Sequence, residues 1–172
     1  MKKLAIFSLF CLFYATLAHA DIEKEVEFLK KKDCKNFFLE NIKTKEENNK
    51  LYKNNEKLKN IFQAYSLSRE ADGHKDCNND IKLSLQLRFQ AVKLLKEIKR
   101  PDLDLLQQLA TSYQMIGYDY NRLGDVKNGI SYLEKGLKIE EENFYEKNFK
   151  SISITYNVLG FWYTKIYEYK KG

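Results

Sequence analysis

Few side chains in this 172-residue sequence could carry out acid–base or nucleophilic chemistry. Two histidines occur, His19 and His74, and no GxSxG, HExxH or glycine-rich phosphate loop is present. His74 stands beside Lys75 and Asp76, so we interpret it as a solvated histidine in a polar loop. An enzyme needs a nucleophile, a base and a group that holds developing charge. The sequence therefore predicts a protein without catalysis and without a cofactor.

Carboxylates are the other side chains that could do chemistry. Glu140, Glu141 and Glu142 end a predicted helix and lack the spaced loop oxygens that calcium requires. A pair of carboxylates could instead act as acid and base on a glycoside. A helical enzyme that acts on cell walls or other carbohydrates is therefore an alternative, and clustering of Asp and Glu in one cleft would favour it.

The first 20 residues have the features of a secretory signal. Two lysines precede an apolar run, and Ala18-His19-Ala20 is a small-x-small cleavage site. The apolar run spans about 15 residues, whereas a membrane-spanning helix needs roughly 20. We expect cleavage before Asp21 and a periplasmic or secreted protein that is not stably inserted in a membrane. An uncleaved anchor is the alternative.

Cys34 and Cys77 are the cysteines that remain after such a cleavage. An even number of cysteines in an exported chain predicts one disulfide, with free buried thiols as the alternative. Together with His74 they could supply three metal ligands, but neither CxxC nor HxxxH spacing occurs. We therefore expect a Cys34–Cys77 bridge and no metal site.

The composition is that of a folded, mildly basic chain. It is 44% hydrophobic and 14% aromatic, which is too apolar for a disordered protein. Loss of the two lysines in residues 1–20 lowers the net charge from +6 to +4, with both signs mixed along the chain. That charge does not indicate a nucleic-acid partner. One proline and seven glycines are too few for a β fold with many turns.

Hydrophobic periodicity predicts helices along most of residues 21–172. Residues 81–99 are ambiguous because Ile81, Leu83 and Leu85 alternate as in a strand, but the later spacing and the length favour a helix. Asp102 is the expected N-cap of the helix that follows. Residues 21–60 are expected to form a helical and charged segment, which after residue 40 is either a solvated helix or a loose connection. A helix from 58 to 70 and a polar loop over 72–80 follow. The remaining expected elements are helices over 81–99 and 102–123, a tight turn at Gly124-Asp125, a helix from 126 to 140, a polar connection over 141–150 and a helix over 151–170.

An internal repeat relates two of these helices. Residues 113–129 and 156–172 align with an offset of 43 residues. A repeat in this range indicates a solenoid of helix pairs, in which residues 61–100 form a divergent helix pair and residues 101–172 form one repeat plus half a repeat. The identical pairs are Tyr113/Tyr156, Gly117/Gly160, Tyr120/Tyr163, Lys127/Lys170 and Gly129/Gly172.

This repeat resembles the tetratricopeptide repeat family. The match is specific over 110–142 and covers half a repeat over 153–172. The offset of 43 residues is longer than the family's repeat of roughly 34, which is similar to the long-linker subclass found in kinesin light chains. The resemblance implies an all-α fold of antiparallel helix-pair repeats. Gly129 and Gly136 depart from the family pattern, which usually has alanine there. The residues that carry the resemblance are Tyr113, Ile116, Gly117, Tyr120, Leu123, Gly124-Asp125, Ile130, Leu133 and Leu137.

The resemblance also implies a binding face. The first helix of each repeat would line a concave groove that holds an extended or helical peptide. The expected partner is therefore a protein or peptide, and Arg122 and Lys165 would favour acidic groups on it. An ordinary solvated face that binds nothing specific is one alternative, and a structural fragment of a longer repeat array is another. The residues carried over to this face are Gln114, Tyr118, Asn121 and Arg122 in one repeat and Asn157, Phe161, Thr164 and Lys165 in the next.

The same alignment predicts how the repeat packs. Gly117 and Gly160 should each allow a second helix to approach closely, so leucine at either position should damage the fold. Trp162 is expected on the surface. The tyrosines expected in the core are Tyr113, Tyr120, Tyr156 and Tyr163.

Overall fold

The computed structural model describes residues 27–29, 31–99 and 101–169, with side chains up to Tyr167. The predicted signal over residues 1–20 lies outside these residues, as do residues 21–26 of the predicted helical and charged segment. Lys170 and Gly172 of the internal repeat also lie outside them.

Helices account for nearly all of the described chain, which contains no strand, and the all-α prediction is confirmed. The helix chosen for residues 81–99 is confirmed as well. None of the helices within the described ranges is both long enough and apolar enough to cross a membrane. In chain order these helices are α1 (Cys34–Leu51), α2 (Glu56–Cys77), α3 (Ile81–Lys96), α4 (Leu103–Arg122), α5 (Val126–Phe144) and α6 (Phe149–Tyr169).

Short polar side chains determine where most of the helices begin. Each N-cap carboxylate or amide accepts a hydrogen bond from the backbone N–H three residues later, which satisfies a donor that the helix leaves unpaired. The predicted cap at Asp102 is confirmed, with 3.0 Å between its Oδ1 and the nitrogen of Leu105. The caps of α1 to α5 are Asp33, Asn55, Asp80, Asp102 and Asp125.

The tight turn at Gly124-Asp125 is confirmed. Gly124 has a φ of +84°, a left-handed conformation that glycine adopts without steric cost, and Asp125 then caps α5. The aligned positions in the second repeat copy, residues 166–168, continue as helix within α6. The two copies therefore differ in backbone structure after their first ten residues or so.

The polar loop predicted over residues 72–80 is wrong for most of its length. Helix α2 continues to Cys77, and the turn comprises residues 78–80. Gly73 is a packing residue there, because a Cβ at this position would lie 2.2 Å from Cε1 of Phe37. His74 lies in the last turn of α2 with its ring 5.1 Å from that of Phe38, and its Nδ1 is 3.1 Å from Nδ2 of Asn78. It is therefore not a solvated loop histidine.

For the region after residue 40 the solvated helix, one of the two alternatives, is confirmed, and the connection predicted over 141–150 is shorter than expected. Helix α1 continues to Leu51, so residues 41–60 contain a helix, a turn over 52–55 and the start of α2. The connection predicted over 141–150 is reduced to residues 145–148, because α5 continues to Phe144 and α6 begins at Phe149. In both regions charged side chains on the solvent face of a helix resemble a loop in composition.

The helices that pack together are neighbours in sequence: α1 with α2, α2 with α3, α3 with α4, α4 with α5 and α5 with α6. One buried cluster joins α2 and α3 to the start of α4 and contains Ala64, Leu67, Ala71, Leu87, Ala91, Leu95, Ile98 and Leu105. A second joins α5 to α6 and contains Ile130, Leu133, Leu137, Ile152, Leu159 and Trp162.

The predicted disulfide is confirmed. Cys34 is the first residue of α1 and Cys77 is the last residue of α2, and their Cα atoms lie 5.7 Å apart in the bridge. The bridge therefore ties α1 to the far end of α2, where Phe37 also fills the space beside Gly73.

Glycines bring the backbones of α4 and α5 together. A Cβ on Gly117 would lie 2.8 Å from the carbonyl oxygen of Gly129, and a Cβ on Gly129 would lie 3.0 Å from that of Gly117. Gly136 is equally restricted, with 2.7 Å from its missing Cβ to the carbonyl oxygen of Ala110. The departure of Gly129 and Gly136 from alanine is therefore explained by close helix packing.

Candidate functional site

A groove of about 470 Å³ lies between α4 and α6, and we call it the α4–α6 groove. It brings together Tyr118, Asn121, Asn157 and Phe161, which are four of the eight residues predicted to form the binding face. The residues that line it are Tyr118, Asn121, Ile154, Asn157, Val158, Phe161 and Trp162.

Trp162 forms the buried base of the α4–α6 groove, so its predicted position on the surface is wrong. Its side chain is 4% exposed and meets the ring of Tyr118 edge-on, with 5.7 Å between centroids. The position 43 residues earlier, Asp119, is also buried. The side of α4 that carries Asp119 and the side of α6 that carries Trp162 both face the preceding helix. The alignment of Trp162 with Asp119 in the repeat is therefore the sequence signal that could have predicted the burial of Trp162.

The two sides of the groove supply different chemistry. Asn157 and Phe161 of α6 are exposed, while Asn121 of α4 is half-buried. Each amide offers two donors and an acceptor. Burial raises the pKa of the Tyr118 hydroxyl, with a further increase from the Glu140 charge, so this group is a protonated donor at neutral pH. The groove can therefore bond backbone amides and carbonyls and contact an apolar side chain.

The other four predicted residues do not line the groove. Gln114 is 8% exposed and donates from Nε2 to Oε2 of Glu140 at 2.8 Å, so its assignment to an open binding face is wrong. Arg122 is exposed at the end of α4, one residue after Asn121. Thr164 donates from Oγ1 to the carbonyl oxygen of Phe161 at 2.8 Å. Lys165 places Nζ 4.6 Å from the centre of the Phe161 ring.

Glu140 explains why Gln114 is turned inwards. Its carboxylate is 2% exposed and is bonded by neutral donors in the described structure. Besides Gln114, Ser151 donates from Oγ at 3.2 Å, and Gln107 and Asn148 donate at 3.5 Å. Sequence analysis missed this network, although Glu140 lies three residues after Leu137 and four before Phe144, on the buried face of α5.

A buried ion pair joins the helices before the repeat to the first helix of the repeat, α4. Arg88 donates from Nε to Oδ2 of Asp119 at 2.9 Å and from a terminal nitrogen to Asp72 at 2.5 Å. Ser84 donates to the same oxygen of Asp119 at 2.8 Å. The sequence did not indicate this contact, because Asp72 was assigned to a loop. The network connects α2, α3 and α4 and has the character of a structural contact.

A second groove, of about 750 Å³, lies between α5 and α6, and we call it the α5–α6 groove. Tyr156 and Tyr163 line it and are 53% and 49% exposed, so their predicted place in the core is wrong. Tyr113 and Tyr120, their counterparts in α4, are half-buried beside Tyr132 of α5. The residues lining this groove are Glu134, Leu137, Lys138, Glu141, Glu142, Tyr156, Leu159, Gly160 and Tyr163.

Hydrogen bonds hold both exposed tyrosines against α5. The Tyr163 hydroxyl donates to Oε1 of Glu134 at 2.5 Å, and the Tyr156 hydroxyl donates to Oε1 of Glu141. These bonds to carboxylates raise the pKa of both phenols, with smaller contributions from burial and from the carboxylate charge. Both rings are therefore fixed in orientation on an acidic rim.

Neither groove holds a metal-binding arrangement, since the described residues include no group of three or more His, Cys, Asp or Glu side chains placed to bind an ion. No protein-family model, no curated protein and no solved structure matches this chain. The grooves and the internal repeat are therefore the features that indicate a function.

Proposed function

We propose that this protein is an exported protein–protein interaction module of the tetratricopeptide type that holds a peptide or protein segment in the α4–α6 groove and has no catalytic activity. The observation that carries the proposal is the meeting of Tyr118, Asn121, Asn157 and Phe161 in one groove. The repeat resemblance alone predicts these four residues as part of one binding face.

The packing of the helices supports the repeat assignment. Each helix packs on its neighbours in sequence, which is the contact pattern of a solenoid. The close contact of Gly117 with Gly129 matches the role that the family gives to a glycine in its first helix. The second copy, which continues as helix where the first copy turns, is a half repeat in this proposal.

The disulfide supports export. Disulfides persist in oxidising compartments and are rare in the cytosol of most organisms. The Cys34–Cys77 bridge joins the start of α1 to the end of α2, whereas the turn over 52–55 connects the opposite ends of these helices. The bridge therefore has a structural role in the fold. A periplasmic or extracellular location would maintain it.

The charge around the groove favours an acidic ligand. Arg122 at the end of α4 and Lys165 on α6 are both exposed cations beside groove residues. A guanidinium can form a two-pronged bond with a carboxylate, and the groove amides can bond an extended backbone. A peptide with one apolar side chain against Phe161 and acidic residues towards Arg122 has the complementary chemistry.

Display selection of random peptides on the full oxidised chain tests the proposal. Selected peptides should contain Asp or Glu near an apolar residue, and Asn157→Ala should weaken their binding about tenfold, since a lost hydrogen bond of this kind costs roughly 1–1.5 kcal/mol. Arg122→Ala should weaken the acidic peptides similarly. Asn143→Ala, on the exposed face of α5, is the matched control and should bind normally.

The result that would contradict this site is equal binding by wild type, Asn157→Ala and Arg122→Ala. Circular dichroism of each variant separates loss of binding from loss of fold. Since Asn157 and Arg122 are exposed, the helical signal should not change.

The carboxylates of the α5–α6 groove are the arrangement that would favour the alternative of a carbohydrate-active enzyme. Glu134 and Glu141 are seven residues apart on α5 and accept hydrogen bonds from Tyr163 and Tyr156. A glycosidase would use two such carboxyl groups, about 5–9.5 Å apart, as acid and base. Release of reducing sugar from cell-wall polymer that is abolished by Glu134→Gln would favour the enzyme instead.

A further inference from the structure

We propose that the α5–α6 groove is a second docking site, and that it binds one basic amphipathic helix of a partner protein. Three features of the groove lead to this inference. Gly160 has an open surface, Tyr156 and Tyr163 form an exposed aromatic pair, and the rim is acidic. The site lies on a different side of α6 from the α4–α6 groove and shares no lining residue with it.

The contact between α4 and α5 is the template for the docked helix. There Gly117 lies against Gly129, with 2.8 Å from the missing Cβ of Gly117 to the carbonyl oxygen of Gly129. Tyr132 of α5 lies beside both tyrosines of α4, with its ring 6.1 Å from that of Tyr113 and 5.5 Å from that of Tyr120. On α4, therefore, Gly117 contacts a glycine of the next helix, and the two tyrosines on either side of it contact an aromatic ring of that helix.

Helix α6 repeats that surface, and no other described helix lies on it. Tyr156, Gly160 and Tyr163 lie 43 residues after Tyr113, Gly117 and Tyr120. Among the residues that the structure describes, no atom of a neighbouring element lies within 4 Å of where a Cβ of Gly160 would be, and both tyrosines are about half exposed. Helix-interior glycine costs about 0.5–1 kcal/mol relative to alanine, and an open helix face gives no compensation for that cost.

The charge of the rim specifies the occupant further. Glu134, Glu141 and Glu142 line the groove, against one cation, Lys138. Lys138 is itself 3.8 Å from Glu142, so the rim has an excess of negative charge. The helix that complements this surface has a small residue against Gly160 and an aromatic ring between Tyr156 and Tyr163. It also has lysine or arginine at its edges, next to the carboxylates. This ligand is basic, whereas the α4–α6 groove favours an acidic one.

A peptide with the sequence of residues 126–139 is the probe, because in α5 this sequence already fits the equivalent surface of α4. A hydrocarbon staple between positions 127 and 134, which are exposed in α5, keeps the peptide helical and retains Lys135 and Lys138. Fluorescence anisotropy with the full oxidised chain then measures the affinity.

We expect saturable binding in the micromolar range that is at least tenfold weaker for Gly160→Leu, because the leucine side chain occupies the helix contact. The open space at Gly160 allows this variant to fold, and circular dichroism verifies that it does. Glu141→Gln should weaken binding about two- to fivefold, as for an exposed ion pair. Lys82→Leu adds the same side chain on the exposed face of α3 and should bind like wild type.

Three results would overturn the proposal. One is the absence of saturation at about 1 mM of a peptide that circular dichroism shows to be helical. Another is equal affinity of the wild type and Gly160→Leu. The third is concentration-dependent dimerisation that Gly160→Leu abolishes in sedimentation experiments, which would assign the face to a second copy of this chain. Because Asn157 and Arg122 line neither this groove nor its rim, failure here is independent of the test of the α4–α6 groove.

Discussion

At the scale of single residues, Glu140 links the candidate groove to the rest of the fold. Its carboxylate accepts hydrogen bonds from Gln114 of α4 and from Ser151 of α6 while lying on α5 itself. A buried carboxylate is favourable only when its oxygens are bonded, and here one side chain of α5 satisfies donors from α4, from α6 and from the connection between α5 and α6. The relative position of α4 and α6, and therefore the shape of the α4–α6 groove, depends on it.

Replacement of Glu140 by alanine should lower the free energy of unfolding by about 3 kcal/mol, because it leaves buried amide and hydroxyl donors without an acceptor and opens a cavity. Urea denaturation followed by circular dichroism measures the loss. Glu142→Ala is the matched control, since Glu142 is exposed two residues later, and it should change stability by less than about 0.5 kcal/mol. Similar losses in the two variants would mean that the network contributes little.

At the scale of helices, Gly117 and Gly160 should respond in opposite directions to the same substitution. Gly117→Ala places a Cβ 2.8 Å from a backbone oxygen of α5, so the helices must separate, at a cost of about 1–3 kcal/mol. Gly160→Ala meets nothing within 4 Å and should stabilise the protein by about 0.5–1 kcal/mol through helix propensity. Thermal unfolding of the two variants measures the direction of each change in stability. A loss of stability in Gly160→Ala would contradict an open helix face at Gly160.

This pair also marks the limit of what the sequence predicted about packing. The repeat alignment correctly relates Gly117 to Gly160 as positions in two helices, and it led to the expectation that leucine at either would damage the fold. For Gly160 the structure gives no clash, because close packing depends on the helix that lies opposite. That helix is α5 for Gly117, whereas the described chain places none against Gly160.

The helices themselves were predictable because their signals are local. Apolar spacing, the Asp102 cap and the Gly124-Asp125 turn placed α3, α4 and the start of α5 within a few residues. The end of α2 was not predictable in this way, since the polar composition of residues 72–80 indicated a loop, whereas Gly73 lies within the helix and leaves room for the ring of Phe37. The four groove residues were found through the resemblance of the repeat to a known family, whereas Gln114 is turned inwards by Glu140, a partner 26 residues away in sequence.

At the scale of the whole molecule, sequential packing makes the two ends of the chain nearly independent. Each helix is stabilised by its neighbours in sequence, so a disturbance at α1 reaches α4 and α6 only through α2 and α3. Helix α1 also has few buried apolar side chains. Phe37 is its one fully buried apolar residue, and Leu39 and Ile42 are each 55% exposed.

Reduction of the Cys34–Cys77 bridge should therefore release α1 while leaving the grooves intact. The bridge closes a loop with a sequence separation of 43, for which loop-closure entropy gives a stabilisation of roughly 4 kcal/mol as an upper value. Hydrogen exchange measured by mass spectrometry should become faster in α1 and at the end of α2 after reduction, or in a Cys34→Ser/Cys77→Ser double variant, and should change little in α4 and α5. Peptides selected on the α4–α6 groove should bind the reduced chain within about twofold of the oxidised chain, because no contact of that groove involves α1. If reduction instead accelerated exchange uniformly and abolished peptide binding, the chain would unfold as one cooperative unit, and the stepwise packing of its helices would not describe how its stability is distributed.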